Sequence, residues 1–533
     1  MSSQAEPNGQ FNAADFFLDR NLAAGHGSRP ALYFRDRVLT YDQLAKMVNK
    51  TGNALRELGV QIEDRVLLIL LDTPEFLACF WGAIRIGAVP VPCSTLLTAD
   101  DYHYFLNDSR AKVLVVNQTL LPVINQIRGD LPYLRDLIVV EEGQGAQIPF
   151  RQKYKRAPAS CKSAGTSKDD VGFWLYSSGS TGFPKGTIHS QHDMVACAQG
   201  YAQKLLGMTQ EDITLSAARL FFAYGLGNSN YFPLSVGAAT VLCPDRPTPA
   251  GMFELLTRYR PTLFFGVPTL YASMLDLADR QDAEAGARPD SGAGHAFSSV
   301  RLCISAGEAL PTEVFHRFKR RYGVEILDGI GSTEMLHIFL SNQPGAIKPG
   351  STGQAVPGYE LKLVGEDGQA VQAGEVGTLH VKGDSAALYY WRKLSSTRKT
   401  MLGEWINTGD KFHKDEEGAY WCSGRGDDML KVGGIWVSPV EVERALMEHE
   451  AVLECAVVGW PDKDGLIKPK AFVVLRDRSR AGEPLALELR EFVKSRLAKY
   501  KYPRWVEFPE ELPKSPTGKI QRYKLRQLAQ PAR

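Results

Sequence analysis

The stretch Tyr176-Ser177-Ser178-Gly179-Ser180-Thr181-Gly182-Phe183-Pro184-Lys185-Gly186 is rich in glycine and hydroxyl residues and carries one cation near its end. It follows the apolar run Val171-Gly172-Phe173-Trp174-Leu175, which predicts a buried strand, so we expect a loop at that strand's carboxyl end. Backbone N–H groups and hydroxyls donate to phosphate oxygens, and Lys185 adds positive charge. The stretch therefore predicts a loop for a nucleotide triphosphate. It differs from the common P-loop, because Pro184 stands where that motif needs its second glycine.

Upstream of this loop, apolar runs alternate with amphipathic segments. Thr40 precedes an apolar-periodic run that predicts a capped helix to Leu58. Further on, residues 65–71 predict a buried parallel strand, residues 75–86 a helix, and the chain from Ala88 the next strand. The same βαβ pattern recurs up to residue 140. The expected fold class is α/β, with doubly wound sheets in a large N-terminal domain and ligands at the carboxyl ends of strands.

Downstream of the loop, residues 188–206 predict a helix that carries His189 and His192, which we interpret as structural residues. Two strands each run into a turn of small residues, at 300–311 and 325–334. After Ser351, short alternating strands with glycine turns predict a β-rich subdomain. The chain beyond residue 426 predicts a compact α+β unit. We therefore divide it into a large domain, 1–426, and a small mobile domain, 427–533.

Composition narrows the classes of function. The chain has 533 residues, 44% of them hydrophobic, which is enough for at least two cores. Lys plus Arg number 62 against 60 Asp plus Glu, a net charge of +2 that argues against binding nucleic acid through bulk charge. The 8 cysteines form no Cys-x-x-Cys pair, so neither a zinc knuckle nor a disulfide framework is indicated. The N-terminus lacks the pattern of a signal peptide, and no apolar run is long enough to span a membrane, so we expect a cytoplasmic protein.

Five motifs in this order resemble the signatures of the acyl-adenylate-forming superfamily, which includes acyl-CoA synthetases, luciferases and peptide-synthetase adenylation domains. They are the 176–186 loop, Gly331-Ser332-Thr333-Glu334, Thr408-Gly409-Asp410, Gly424-Arg425-Gly426-Asp427-Asp428, and Pro513-Lys514-Ser515-Pro516-Thr517-Gly518-Lys519-Ile520. Together they cover most of the chain. Segments such as Phe11–Phe17, Thr95–Tyr102 and Phe221–Gly227 further resemble the benzoate–CoA ligases.

The resemblance implies roles for individual residues. The catalytic residues it implies are Lys519, Glu334 and Thr333. The residues it implies for the nucleotide and for coenzyme A are Ser177, Ser178, Gly179, Ser180, Thr181, Gly182, Lys185, Gly307, Glu308, Ala309, Asp328, Asp410, Arg425, Gly433 and Gly434. The residues it implies for the acyl substrate are Ala223, Tyr224, Ala306, Gly329, Ile330, Gly331 and His337. Thr181 and Glu334 would serve Mg²⁺, and Asp427 would be the hinge. For His337, a purely structural role in the core remains an equal alternative.

The activity implied is the ligation of a small aromatic carboxylate to coenzyme A with ATP and Mg²⁺. Hydroxybenzoate, aminobenzoate and a medium-chain fatty acid remain open as alternative substrates. Two further alternatives are an adenylation enzyme that loads a carrier protein and a non-catalytic binding module. The sequence leaves the oligomeric state open, with a homodimer as one alternative.

Overall fold

The structure, a computed structural model, describes residues 9–140, 154–177, 184–284, 296–432, 435–462, 466–498, 500–514 and 520–527. At positions 427, 431, 435 and 436 it describes the backbone alone. No helix in these ranges is both long and apolar enough to cross a membrane.

A four-stranded parallel sheet near the N-terminus confirms the predicted βαβ pattern. Its strands, in the order β4-β3-β5-β6, are β3 (Arg65–Ile69), β4 (Val89–Pro92), β5 (Val113–Asn117) and β6 (Asp136–Val140). The helices of this part of the chain are Arg20–Ala23, Tyr41–Glu57, Pro74–Arg85, Ala99–Ser109 and Leu121–Asn125. Thr40 caps the second of them, since its side chain accepts from Gln43 N and the Gln43 side chain accepts from Thr40 N.

A nine-stranded sheet forms the centre of the N-terminal part. Its order is β15-β14-β13-β12-β11-β9-β10-β1-β2, and the pairs from β13 to β1 are parallel. The strands are β1 (Pro30–Phe34), β2 (Arg37–Thr40), β9 (Ile213–Ser216), β10 (Ala239–Val241), β11 (Leu263–Gly266), β12 (Leu302–Ser305), β13 (Ile326–Gly331), β14 (Ile338–Ser341) and β15 (Gln354–Ala355). The helices between them are Ala223–Leu226, Phe232–Val236, Pro249–Tyr259, Pro268–Glu284 and Thr312–Tyr322. The turns after β12 and β13 consequently lie side by side.

The segment around the glycine-rich loop differs from the prediction. Strand β7 (Val171–Ser177) pairs antiparallel with β8 (Lys185–Ser190), which pairs with β18 (Tyr389–Tyr390), so this loop joins a hairpin and not a parallel strand to a helix. The predicted helix start at residue 188 is wrong. Thr187 and Ile188 are β-branched and pair with Leu175 and Trp174 across the hairpin, which favours a strand. The helix begins at Asp193, as Asp193–Cys197 followed by the π-helix Ala198–Leu205.

The β-rich subdomain after Ser351 is an antiparallel sheet in the order β16-β17-β20-β19, with β21 against β20. Its strands are β16 (Glu360–Val364), β17 (Gly377–Lys382), β19 (Met401–Leu402), β20 (Trp405–Lys414) and β21 (Tyr420–Arg425). The helix Leu394–Thr400 precedes β19. Other short turns are the π-helices Asp15–Asp19 and Gly227–Tyr231 and the 3₁₀ helices Gln118–Leu120, Arg128–Asp130, Thr333–Met335, Gly426–Asp428 and Arg478–Arg480.

The part of the chain after the Gly426–Asp428 turn, here called the C-terminal unit, has α+β structure with its own core. Its strands are β22 (Leu430–Val432), β23 (Ile435–Val437), β24 (Val452–Pro461), β25 (Ile467–Leu475) and β26 (Trp505–Glu507), and its helices are Pro439–Met447, Glu483–Arg496 and Arg522–Gln527. Val442, Leu446, Val457 and Leu489 are buried in one cluster of this unit. The predicted fold class is confirmed, whereas the domain boundary at residue 427 stays a prediction.

Candidate active site

A cavity of about 280 Å³ lies between the N-terminal sheets and the C-terminal unit. It brings together residues that are more than a hundred positions apart in the sequence. The predicted site residues that line it are Gly307, Glu308, Ala309, Asp328, Gly329, Ile330, Asp410 and Arg425. From the C-terminal unit the lining includes Val440, Arg444, Met447, Lys514, Ile520 and Arg522.

The turn after β12 forms one wall of this cavity. Gly307 has φ of 100°, a backbone conformation that side chains with a Cβ rarely adopt. The next residue, Glu308, accepts a hydrogen bond from Ile520 N at 2.9 Å through its Oε1 atom. The C-terminal tail is therefore held at the cavity one position after Lys519, which itself lies outside the described residues.

Asp328 lies in the middle of β13, where it is the register partner of Ser305 at the end of β12, and it is only 5% exposed. Burial raises the pKa of Asp328 to about 7. Its Oδ1 atom is buried and has no hydrogen-bond partner among the described residues. A buried acceptor of this kind is suited to an N–H donor of a ligand.

Asp410 and Arg425 face each other on neighbouring strands. They are partners in the register of β20 and β21, and Arg425 Nη1 lies 3.0 Å from Asp410 Oδ1. The Arg425 side chain is 55% exposed and the Asp410 side chain only 12%. The pair thus presents a fixed carboxylate, an acceptor suited to the hydroxyls of a sugar.

Thr333 and Glu334 lie in the short 3₁₀ turn after β13, where Ser332 caps the turn by accepting from Met335 N. Prediction from the sequence missed the residue that holds Glu334. Tyr390, on β18, donates its hydroxyl to Glu334 Oε1 at 2.7 Å. The ammonium nitrogen of Lys185 lies 5.0 Å from the centre of the same tyrosine ring. Tyr390 therefore joins two predicted functional residues.

His189 lies on β8 and not on a helix, contrary to the prediction. Its Nδ1 atom lies 2.7 Å from Asp193 Oδ2, and its Nε2 atom lies 2.8 Å from the backbone oxygen of Thr333. The histidine and aspartate side chains are 0% and 3% exposed. This buried pair fixes the backbone at Thr333. The spacing of four positions did not indicate this pair, because it brings side chains together within one helix, whereas His189 lies on a strand and Asp193 begins the next helix.

Of the predicted acyl residues, Gly329 and Ile330 line the main cavity, whereas Tyr224 and His337 lie in a mostly apolar region outside its lining. His337 is 2% exposed, and burial lowers its pKa to about 3, so the ring is neutral. Its Nε2 atom lies 3.2 Å from Tyr224 O and 3.1 Å from Asn228 Oδ1, while its Nδ1 atom has no partner among the described residues. The Tyr224 hydroxyl donates to Ile304 O at 3.2 Å. Phe232 packs against His337 with ring centres 4.4 Å apart.

Glycines make this packing possible. A Cβ on Gly227 would lie 2.4 Å from His337 Cδ2, and a Cβ on Gly331 would lie 2.4 Å from His337 O. Ala306 is buried behind the turn after β12, and Ala223 begins the short helix that carries Tyr224. Ile330 lines the main cavity and so lies between the two regions.

Several predicted residues lie outside the described ranges: Ser178, Gly179, Ser180, Thr181, Gly182, Gly433, Gly434 and Lys519. The side chain of Asp427 is also outside them. Ser177 is described at the end of β7, where its Oγ accepts from Thr187 Oγ1 at 3.4 Å. In the described ranges, no three His, Cys, Asp or Glu side chains are grouped so that they could hold a metal ion.

The chain is similar to proteins of known family and structure. A family model for the AMP-binding enzymes matches residues 19–391, and one for the C-terminal domain of these enzymes matches residues 441–519. A benzoate–CoA ligase of Thauera aromatica is 51% identical over 97% of this chain and 96% of its own length. The crystal structure of the anthranilate CoA ligase AuaEII in complex with anthranoyl-AMP is 43% identical, with a TM-score of 0.92 over 99% of both chains. A benzoate CoA ligase structure from Burkholderia xenovorans LB400 is 46% identical, with a TM-score of 0.87 over 97% of this chain and 100% of that one.

Proposed function

The chain belongs to the AMP-binding enzyme family, and from that premise we propose that it is an ATP-dependent benzoate–CoA ligase. The carboxylate first reacts with ATP to give an aryl-adenylate and pyrophosphate, and the adenylate then reacts with coenzyme A to give a thioester and AMP. The proposal rests mainly on the following observation. A cavity lined by Gly307, Asp328 and the Asp410–Arg425 pair lies next to a buried aromatic region, in a chain 51% identical to a benzoate–CoA ligase.

In the first step, we assign the nucleotide to this cavity. The turn at residues 307–309 and the Asp328 carboxyl receive the base, and Asp410 with Arg425 receives the ribose. A substrate carboxylate oxygen forms a bond to the α-phosphorus, and the bond from that phosphorus to the pyrophosphate oxygen breaks. Because both reactants are anions, the step needs fixed positive charge. Lys519 supplies it at the reacting groups, and Lys185 and the 177–182 loop bind the phosphates.

Mg²⁺ fits the residues around Glu334. Magnesium prefers oxygen ligands and is usually bound through one or two carboxylates together with substrate phosphates and water. Glu334 is the carboxylate in position, and its Oε1 atom is already oriented by the Tyr390 hydroxyl. Thr181 would add a hydroxyl oxygen. When bound, the ion would neutralise charge on the phosphates.

In the second step, the thiol sulfur of coenzyme A loses its proton to solvent and forms a bond to the acyl carbon, and the bond from that carbon to the AMP oxygen breaks. The thiol must reach a site that the C-terminal tail now occupies next to Glu308. We therefore assign Asp427 as the hinge about which the C-terminal unit turns. Gly433 and Gly434 would then border the pantetheine arm. A homodimer and a cytoplasmic location stay predictions.

The contacts in the acyl region favour an unsubstituted ring. Tyr224 Oη donates to a backbone oxygen, and His337 Nε2 already has two acceptors within 3.2 Å. A site built to bind a ring hydroxyl would leave its own polar groups unpaired with benzoate, and such sites reject the unsubstituted analogue strongly. Here Tyr224 Oη and His337 Nε2 are paired without any ligand, and of the polar side-chain atoms of these two residues only His337 Nδ1 lacks a partner among the described residues. Benzoate is therefore the preferred acid.

Anthranilate, an aminobenzoate, is the second candidate because the anthranilate CoA ligase structure gives a TM-score of 0.92. The His337 Nδ1 atom, which lacks a partner among the described residues, is an acceptor that an amino group on the ring could use.

An assay of pyrophosphate release tests the proposal. Benzoate, 2-aminobenzoate, 3- and 4-hydroxybenzoate and hexanoate are each offered with ATP and Mg²⁺. The expected result is the highest kcat/KM for benzoate. The highest value for 2-aminobenzoate would instead establish the second candidate. Thioester formation with free coenzyme A separates a CoA ligase from an enzyme that loads a carrier protein, which would turn over only with the carrier present.

A further inference from the structure

Arg444 lies on the helix Pro439–Met447 of the C-terminal unit and lines the cavity. Its Nε and Nη2 atoms are buried, and neither has a hydrogen-bond partner among the described residues. A guanidinium carries five donors in a fixed planar arrangement, so leaving two of its nitrogens buried without acceptors is unfavourable.

The other cations that line the cavity are all paired. Arg425 lies 3.0 Å from Asp410, Lys514 lies 2.7 Å from Glu454, and Arg522 lies 2.7 Å from Glu443. No carboxylate in the described part of the chain comes within 4.0 Å of Arg444 to form such a pair. Arg444 therefore differs from the other cations of the cavity, because no described side chain pairs with it and its donors are available to a ligand.

The position of Arg444 shows which end of the cavity it serves. Arg444 lines the cavity together with Asp328 and Cys422. Burial raises the pKa of both of these groups and the positive charge of Arg444 lowers it, which agrees with a guanidinium near Asp328. That end of the cavity also contains the turn at residues 307–309, to which the proposed function assigns the base of the nucleotide.

We propose that Arg444 contacts the purine base of the bound nucleotide, and that this contact forms only while the C-terminal unit lies against the cavity. The inference rests on the proposed function, in which ATP occupies this cavity. A purine offers ring nitrogens as acceptors and an aromatic face that attracts a guanidinium. Arg444 is thus a binding residue on one unit for a ligand held by the other.

The test compares Arg444→Met and Arg444→Lys with the unchanged protein. Arg490→Met is the matched control, because Arg490 lies on the helix Glu483–Arg496 of the same unit and also has a buried, unpartnered Nε, but it does not line the cavity. Calorimetric titration measures the affinity for ATP and for inorganic tripolyphosphate, and thermal unfolding checks that each variant is folded.

Arg444→Met is expected to weaken ATP binding about tenfold or more, as for the loss of a hydrogen bond to a charged group, and to leave tripolyphosphate binding unchanged. Arg444→Lys keeps the charge without the planar arrangement of donors, so it should be intermediate. Arg490→Met should bind ATP normally. With synthetic benzoyl-adenylate supplied, thioester formation by Arg444→Met should stay within about twofold, because the C-terminal unit has turned away by then.

Unchanged ATP affinity in Arg444→Met, or an equal loss in Arg490→Met, would overturn the proposal. Equal losses for ATP and tripolyphosphate would show a phosphate contact and overturn the contact with the base. If Arg444→Met does not fold, Arg444→Lys decides the question by the same two titrations. Failure of the proposed function is distinguishable, since the unchanged protein would then bind ATP without releasing pyrophosphate when benzoate is added.

Discussion

The regions to which we assign the acyl group and the nucleotide, here the acyl region and the nucleotide cavity, are built in different ways. Around His337 and Tyr224, almost every contact comes from the N-terminal part, and glycines bring backbone and rings together so closely that a single Cβ would clash. The nucleotide cavity is lined by both parts of the chain, and Ile520 of the tail reaches Glu308 across it. The acyl region is a fixed part of one core, whereas the nucleotide cavity is complete only while the two parts are in contact.

This difference fits a reaction in two steps. In the proposed mechanism the acyl group stays in place through both steps, so its site needs no moving part. The groups at the α-phosphate must first be brought together and later make room for a thiol. We therefore expect substitutions in the acyl region to affect both steps, and substitutions at the contact between the two parts to affect mainly the first.

Lys519→Ala is expected to give the largest difference between the effects on the two half-reactions. The neighbouring Ile520 is held at Glu308, so the tail is delivered to the cavity in this arrangement. Removing the cation should slow adenylate formation about a hundredfold to a thousandfold, in the range found for lost charge stabilisation in a transition state. Thioester formation from supplied benzoyl-adenylate should change much less. The two half-reactions are measured separately by pyrophosphate release and by thioester absorbance, and comparable losses in both would contradict the comparison.

Gly227→Ala should damage the acyl region alone. The new Cβ would lie 2.4 Å from His337 Cδ2, so the imidazole has to move within a packed core. We expect a free energy of unfolding lower by about 1–3 kcal/mol and a kcat/KM for benzoate about tenfold or more lower, with unchanged ATP affinity. Gly129→Ala is the control, because a Cβ there meets no atom within 4 Å. Weaker ATP binding in Gly227→Ala would mean that the two regions are not separate.

Most of the fold could be predicted from the sequence because it is encoded locally. Apolar runs such as Val113–Asn117 and the Thr40 cap determine elements through residues close to each other. The β7–β8 hairpin was missed because the strand Lys185–Ser190 is defined by its pairing with Val171–Ser177 across the loop and with Tyr389–Tyr390, some two hundred positions away, and not by a pattern within its own six residues.

In the candidate site, too, residues within a local sequence motif could be predicted, whereas residues defined by distant contacts could not. Motif residues such as Asp410 and Arg425 were found, and the strand register places them together. Tyr390 and Arg444 were not found, because neither lies in a motif and each is recognised only by what it faces in space. The buried Asp328 could be named from its position, but its raised pKa depends on tertiary packing that no local pattern encodes.

Tyr390→Phe tests the phosphate end of the nucleotide cavity with a smaller expected effect. The substitution removes the hydroxyl that orients Glu334 and keeps the ring beneath Lys185. Loss of one hydrogen bond to a charged group should lower adenylate formation about tenfold and raise the Mg²⁺ concentration needed for half-maximal rate. Tyr389→Phe, one position earlier and 37% exposed, is the matched control. A lower rate with unchanged Mg²⁺ dependence would show that the hydroxyl does not act through Glu334.

Arg476→Gln has the smallest expected effect, and it bears most directly on the contact between the two parts of the chain. Arg476 follows β25 in the C-terminal unit and forms an ion pair with Asp276 on the helix Pro268–Glu284, which belongs to the N-terminal part. The pair is partly exposed, and Arg317 also pairs with Asp276, so the loss of Arg476 should cost about 1 kcal/mol or less and lower adenylate formation by no more than about fivefold.

Because the pair holds the arrangement used in the first step, its loss should leave thioester formation unchanged or slightly faster, and the ratio of the two half-reaction rates is the quantity to measure. Arg478→Gln is the control, since Arg478 pairs with Glu510 inside the C-terminal unit. An equal shift of that ratio in both variants would mean that the ratio depends on the net charge of the C-terminal unit and not on the contact with Asp276. A shift in Arg476→Gln alone, abolished at high salt, would assign part of the closing free energy to this one pair.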